Sequence, residues 1–199
     1  NLLPEGLLRT IVCAQHGLRE ENEPGILGAL GDDLPGAVTV SRIGDPTPGS
    51  SDDAVRSGDF ASSSADSLIR ASIAGNVLKF SMKSCDQRLT LPGSGEYGDR
   101  IVKLPPPGEY DALVHNEFYV MSLAKACDIE VPDFDVVHRE NVEIAPSDWV
   151  TQEEHAFSIA RFDRSDQGRV HMEDFCQAGN LPGFQRSKYQ SSVEYVMKV

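Results

Sequence analysis

The first periodic stretch of the chain, "LPEGLLRTIVCAQHG", puts Leu7, Leu8, Ile11, Val12 and Gln15 at helical spacing, and Gly17 suits the C-terminal stop. "PGILGALG" predicts a second short helix, and "GAVTVSR" a strand after it. From Gly44 to about Ser67 the chain is rich in Ser, Asp, Gly and Pro, with little that a core would take up, and it reads as a linker or mobile loop. The main boundary falls there.

Beyond it the period changes. "NVLKFSMKS", "QRLTLPG" and "DRIVKLP" are short β-type runs divided by turn residues, which predicts an antiparallel meander. "NEFYVMSLAKACD" follows as an amphipathic helix, with Phe118, Met121, Ala124 and Lys125 recurring at three and four. "FDVVH" and "HAFSIARFD" predict two more strands, and "HMEDFCQAG" and the terminal "SVEYVMKV" read as helical. No internal repeat is visible. The sum is an α+β arrangement: residues 1–43 form a helical and strand N-terminal subdomain, 44–67 a linker, and 68–199 a sheet with one crossing helix.

Composition narrows the function classes. A formal net charge of −13 argues against a general nucleic-acid or membrane-surface binder, which needs a basic face. No apolar run is long enough to span a bilayer, and the start shows no basic, apolar and small-residue order of a signal peptide. Cys13, Cys85, Cys127 and Cys176 are far apart and form no C-x-x-C pair, so they read as reduced, mostly packed thiols of a cytoplasmic protein. The five histidines lack metal-ligand spacing, and no metal site is expected. The chain opens on Asn1 and closes on "SSVEYVMKV" without a helix C-cap signal, so a piece of a longer protein is expected.

Candidate chemistry begins with "GDRIVKLPPP", where Lys103 sits inside an apolar, β-branched run. It either alternates out to solvent, as half the residues of a strand do, or points into a cleft at an anionic ligand. Glu117 on the crossing helix is a plausible partner for it, as a strand lysine and helix glutamate are paired in a kinase small lobe; equally, Glu117 is a first-turn acid favoured by the helix dipole, with Asn116 near the cap. "SIAGNVLKF" has one glycine before a strand that carries Lys79, a weak phosphate-cradle signal beside the ordinary reading of a turn. "IARFDR" ends the last strand, either as a hinge whose backbone meets an adenine edge or with Arg161 and Asp163 as a surface ion pair. "VVHREN" imitates a kinase catalytic loop, but Glu140 replaces the aspartate and Asn141 follows at once, too early to reach a second metal. In "HMED", His171 and Asp174 share a helical face and read as a capping or surface pair.

Taken in order, "NLLPEGLLR", "ALGDDLPGAV", "SIAGNVLKFS", "RLTLPG", "RIVKLP", "NEFYVMSLAKACDIEVPD", "ARFDR" and "VHMEDFCQ" resemble the HipA family of bacterial serine/threonine kinases, toxins of type II toxin–antitoxin pairs. The resemblance spans nearly all of the chain except the linker. It implies an N-terminal subdomain and a β-rich kinase small lobe that binds ATP with Mg²⁺. By position, Ala74, Gly75, Asn76, Val77, Leu78 and Lys79 fall on the loop that covers the ATP phosphates. Lys103 falls on the phosphate-binding lysine, Glu117 on the glutamate that positions it, and Ala160, Arg161 and Phe162 on the adenine hinge. Ser72 falls on the serine whose autophosphorylation ejects the loop and switches the kinase off.

Two positions depart from the family pattern: Val77 stands where glutamine is usual, and Ala160 where a polar residue is common. The resemblance also implies a larger helical lobe with the catalytic aspartate and the metal ligands, and the small lobe here stops before the catalytic loop. The expectation is therefore an ATP-binding fragment without phosphotransfer of its own. The implied partners are a small helix-turn-helix antitoxin, DNA only through that antitoxin, and a protein substrate of the aminoacyl-tRNA synthetase class, with no membrane. The competing expectation is a non-catalytic module that binds a partner kinase or the antitoxin.

Overall fold

A computed structural model describes residues 2–41, 77–93, 96–104, 112–143, 154–179 and 194. The expected linker, Ser72, the Ala74–Asn76 part of the loop and the expected C-terminal helix, Glu194 apart, lie outside these residues.

The N-terminal segment folds as expected from its period. Helix α1 (Gly6–His16) buries Leu8, Ile11, Val12 and Cys13 on one face. It ends at Gly17, whose φ of 63° is the left-handed geometry glycine adopts freely, with the Leu18 N–H donating back to the Cys13 carbonyl at 2.8 Å. Helix α2 (Glu23–Leu30) is capped by Asn22, whose side chain accepts from the Gly25 N–H at 3.0 Å. The expected strand at "GAVTVSR" does not form among the described residues. Gly36 takes a φ of +70°, which turns the chain instead of extending it. Residues 38–40 then run back over Gly31, so close that a Cβ there would lie 1.8 Å from the Val40 carbonyl oxygen.

Among the described residues, six strands form one sheet in the order β4-β6-β3-β1-β2-β5: β1 (Leu78–Cys85), β2 (Arg88–Thr90), β3 (Arg100–Leu104), β4 (Phe134–His138), β5 (Val142–Glu143) and β6 (His155–Ala160). All neighbours are antiparallel except β2 and β5. The expected meander is corrected: β1 lies between β2 and β3, so the third strand crosses back to the other edge of the first. Burial gives the reason. Only in that place do Val102 and Leu104 lie opposite Phe80 and Leu78, all four buried. A two-stranded ribbon, β7 (Arg164–Ser165) and β8 (Gly168–Arg169), and a short helix α4 (Phe175–Ala178) follow the sheet.

One core joins the two halves. Leu8, Ile11, Val12, Ile26, Leu30 and Leu34 pack with Leu78, Phe80, Met82, Val102, Leu104 and Ala156. Each such side chain contributes about 1.5–3 kcal/mol on burial, so the N-terminal helices are held to one face of the sheet by the hydrophobic effect. The opposite face carries helix α3 (Leu113–Ala126), which packs over β4 and β6 with Phe118 edge-on to Phe134 at 5.5 Å and His115 edge-on to His155 at 5.6 Å. The thiols are less packed than expected: Cys13 is buried, but Cys85 and Cys127 are exposed, because β1 runs out of the core at its end and Cys127 follows the last turn of α3.

Candidate functional site

Lys103 sits between two core residues, Val102 and Leu104, and strand alternation turns it to the face that carries α3. In register beside it are Lys79 on β1 and Phe157 on β6. Its Nζ donates to Glu117 Oε2 and lies 5.5 Å from the centre of the Phe157 ring. About three-quarters of each side chain of the pair is buried, at 24% and 23% exposure, which leaves one edge open to solvent. Glu117 is not a first-turn acid: α3 begins at Leu113 after Ala112, with the Asn116 N–H closing the first turn on the Ala112 carbonyl at 2.8 Å. Its place in the second turn puts its carboxylate over the sheet instead of at the helix end. Two ammonium groups thus stand on one sheet face, with Glu117 beside Lys103, a charge arrangement suited to a polyanionic ligand.

The end of β6 is built differently. Ala160 and Arg161 spend their N–H groups on the Asp133 and Asp99 carbonyls, at 2.7 and 2.8 Å, and the Arg161 carbonyl accepts from the Arg164 N–H. Arg161 and Asp163 are not a surface pair, as one expectation held. Both are buried, in a network reaching back to the N-terminal segment. Arg161 donates from Nε and Nη2 to the two oxygens of Asp163, at 2.9 and 2.8 Å, and from Nη1 to Asp33 Oδ1 at 2.7 Å. Burial works against the Arg161 charge, but the Asp163 hydrogen bonds and the two carboxylate charges outweigh it and raise its pKa. Burial likewise pushes the Asp163 carboxyl up, while Arg161, the Gly36 N–H and Arg164 bring it below its ordinary value. Arg164 and Arg169 stand 5.4 Å from the centre of the Tyr97 ring at the rim.

Of the expected loop, Val77 is half-buried and Leu78 is a core residue at 2% exposure, so Leu78 offers a ligand its backbone alone; Lys79 lies beside Lys103. Phe162 is 62% exposed. "HREN" forms a single 3-10 turn (Arg139–Asn141), with the Glu140 N–H donating to His138 Nδ1. Asp174 caps α4 in a reciprocal capping box with Gln177, while His171 precedes that helix and does not share a helical face with it. No group of three or more His, Cys, Asp or Glu suited to a metal ion occurs among the described residues. Asp33 had no role in the sequence reading; nothing local in "GDDLPG" signals that its second aspartate is 1% exposed.

Comparison with known proteins agrees with this architecture. The HipA N-terminal domain family matches residues 1–41, and the HipA-like C-terminal domain family matches residues 71–199. "Putative kinase Y4dM" of Sinorhizobium fredii (strain NBRC 101917 / NGR234) is 39% identical over 181 residues, which cover 89% of this chain and 42% of that protein. "Putative kinase Y4mE" of the same organism is 29% identical over 212 residues, 96% of this chain and 47% of that protein. Among solved structures, the Shewanella oneidensis MR-1 toxin–antitoxin system HipA, HipB and operator DNA complex holds a chain with the same fold. The TM-score is 0.63 at 22% identity, over 98% of this chain and 46% of that one. The chain thus spans less than half the length of the relatives it matches. With both family regions matched in order over nearly all of its residues, the chain belongs to the HipA family.

Proposed function

We propose that this chain is the ATP-binding part of a HipA-type serine/threonine kinase toxin, with Lys103 as the ligand of the nucleotide phosphates. The observation that carries the reading is the Lys103–Glu117 pair, which sets an oriented ammonium on the α3 face of the sheet beside Lys79. Bound Mg-ATP supplies the phosphoryl group. Lys103 would neutralise phosphate charge, Glu117 would fix the direction of its Nζ, and the loop that the resemblance sets at residues 74–79 would cover the phosphates. With the Ala160 and Arg161 N–H groups engaged, the donor that the 160–162 segment offers to a base edge is the Phe162 N–H.

Residues 1–199 contain no sequence that matches the kinase catalytic loop, since "HREN" lacks its aspartate and its spacing. The reading is therefore nucleotide binding without phosphotransfer by this stretch on its own. The partner is a HipB-like antitoxin, in keeping with the HipA–HipB–DNA assembly of the Shewanella neighbour. Calorimetric titration with Mg-ATP tests the nucleotide reading, with Lys103→Ala as the control and labelled ATP to follow transfer. Saturable binding that Lys103→Ala weakens is expected. No binding by the unaltered chain would refute the reading and leave an interaction module in its place.

A further inference from the structure

We infer that Asp33, in the N-terminal segment, is a positioning residue for recognition of the nucleotide base, acting through Arg161 on the turn at residues 160–163. This rests on the reading of that turn as the base-binding segment.

Four stretches separated in sequence meet in the network: residues 33–36, Ser81, Gly98 and residues 161–164. Asp33 Oδ1 accepts from Arg161 Nη1 and Arg164 Nη2, each at 2.7 Å, and its Oδ2 accepts from the Gly98 N–H at 3.2 Å. Asp163 Oδ2 accepts from Arg164 Nη1 at 2.9 Å and from the Gly36 N–H at 2.8 Å. Ser81 Oγ on β1 accepts from Arg161 Nη1 at 2.8 Å. The side chains of Asp33, Arg161, Asp163 and Arg164 are all 5% exposed or less. Two guanidinium groups face two carboxylates, so the charges balance, and the directional bonds leave little freedom to any member.

Arg161 and Asp163 flank Phe162. Both flanking side chains point inward and are clamped to residues 33–36, and Phe162 between them is displayed to solvent. The clamp therefore sets where the Phe162 backbone stands, and its far end belongs to the N-terminal segment. Both guanidinium groups already share Asp163, so removing the Asp33 charge leaves that one carboxylate for the two and takes from Arg161 Nη1 its charged anchor in residues 33–36, which frees Arg161 to move. Lys103 is not a member of the network and stands opposite Phe157, three residues before the end of β6, or about 10 Å along the strand. A disturbance at Asp33 thus reaches the base end of the site and spares the phosphate end.

The test is calorimetric titration of this chain and of Asp33→Asn, Ser81→Ala and Lys103→Ala with Mg-ATP and with Mg-GTP, after thermal melting has verified that each is folded. The two nucleotides share their phosphates and differ at the base edge. Asp33→Asn is expected to lower the ATP-to-GTP affinity ratio about tenfold, the scale of one hydrogen bond. Lys103→Ala is expected to weaken both nucleotides equally and preserve the ratio, and Ser81→Ala to move it in the same direction as Asp33→Asn by less. An Asp33→Asn chain whose ratio is unchanged overturns the inference while leaving the nucleotide reading intact. If Asp33→Asn does not fold, an unchanged ratio in Ser81→Ala overturns it instead. An unaltered chain that binds neither nucleotide removes the nucleotide reading, and one that binds both alike removes base recognition by this turn; either ends the inference.

Discussion

Glu117 holds Lys103 across fourteen residues of chain, and directly opposite Lys103 on the neighbouring strand stands Lys79. Like charges facing each other across an antiparallel pair repel, and the Glu117 carboxylate beside Lys103 offsets part of that repulsion as well as aiming the ammonium. Glu117→Gln keeps an acceptor near Lys103 and removes the charge. The pair keeps about a quarter of its exposure, so the expected loss of stability is modest, about 1 kcal/mol in urea unfolding. The ATP affinity should fall less than in Lys103→Ala, since the phosphate ligand remains. An ATP affinity lower than that of Lys103→Ala would mean that Glu117 does more than orient the lysine.

Gly98 lies where β1, β3 and the Asp33 network meet. A Cβ there would stand 2.2 Å from Ser81 Oγ and 2.7 Å from both the Met82 N and O, and the last two are backbone atoms that cannot swing aside. Gly98→Ala should cost about 3 kcal/mol and, by displacing the Gly98 N–H from Asp33, should also lower the ATP-to-GTP ratio. At Gly93 the nearest atom to an added Cβ is Glu96 Oε2 at 3.5 Å, ordinary contact. Gly93→Ala should stay within about 0.5 kcal/mol of the unaltered chain, and urea midpoints separate the two cases.

Helix α1 was legible because its apolar period and its terminal glycine agree with each other, and α3 and the strand lysine were legible for the same kind of local reason. Strand order was not. Whether β3 joins β2 or β1 depends on which rows of side chains bury one another, and the runs themselves carry no such pairing information. The valines at 38 and 40 read as a strand by composition, but Gly31 admits Val40 against its own backbone and Gly36 turns the chain with a positive φ. The largest omission is the Asp33–Arg161 contact, made between residues 128 positions apart. Asp and Arg are mostly exposed, so a local reading puts both at the surface. Both are buried because charged partners from distant parts of the chain meet them there: Asp33 and Asp163 for Arg161, Arg161 and Arg164 for Asp33.

Cysteine reactivity separates the described thiols. Cys13 lies in the face of α1 that packs on the core, and burial raises its pKa despite the opposing charge of Arg9. Thiolate is the reactive form, so this thiol is doubly protected. Cys85 and Cys127 are exposed. Brief treatment with iodoacetamide at about pH 8, read by peptide mass spectrometry, should label Cys85 and Cys127 in the folded chain and Cys13 only after unfolding. Labelling of Cys13 at the rate of the other two would mean that α1 leaves the sheet readily in solution.

Asp163 gives the network a signature in acid. Its pKa lies below the ordinary 3.8, because the hydrogen bonds and charge of Arg161, with the Gly36 N–H and Arg164, overcome the opposing effect of burial. The unfolded chain therefore takes up the Asp163 proton at a higher pH than the folded chain. The stability this group contributes is fully present above its unfolded value, and it is lost as pH falls below 3.8 and through the folded value. Arg161 adds no pH dependence here, since a guanidinium stays charged in both states across this range. At neutral pH Asp163→Asn leaves two buried guanidinium groups on one carboxylate and should cost about 3 kcal/mol. The gap between the unaltered chain and Asp163→Asn should hold steady from about pH 7 to about pH 5 and narrow at about pH 3, where the other carboxyl groups protonate alike in both. Thermal melting of the two chains across that series measures the gap. A gap of constant size down to about pH 3 would mean that the Asp163 charge contributes nothing to the clasp and that shape alone holds the turn.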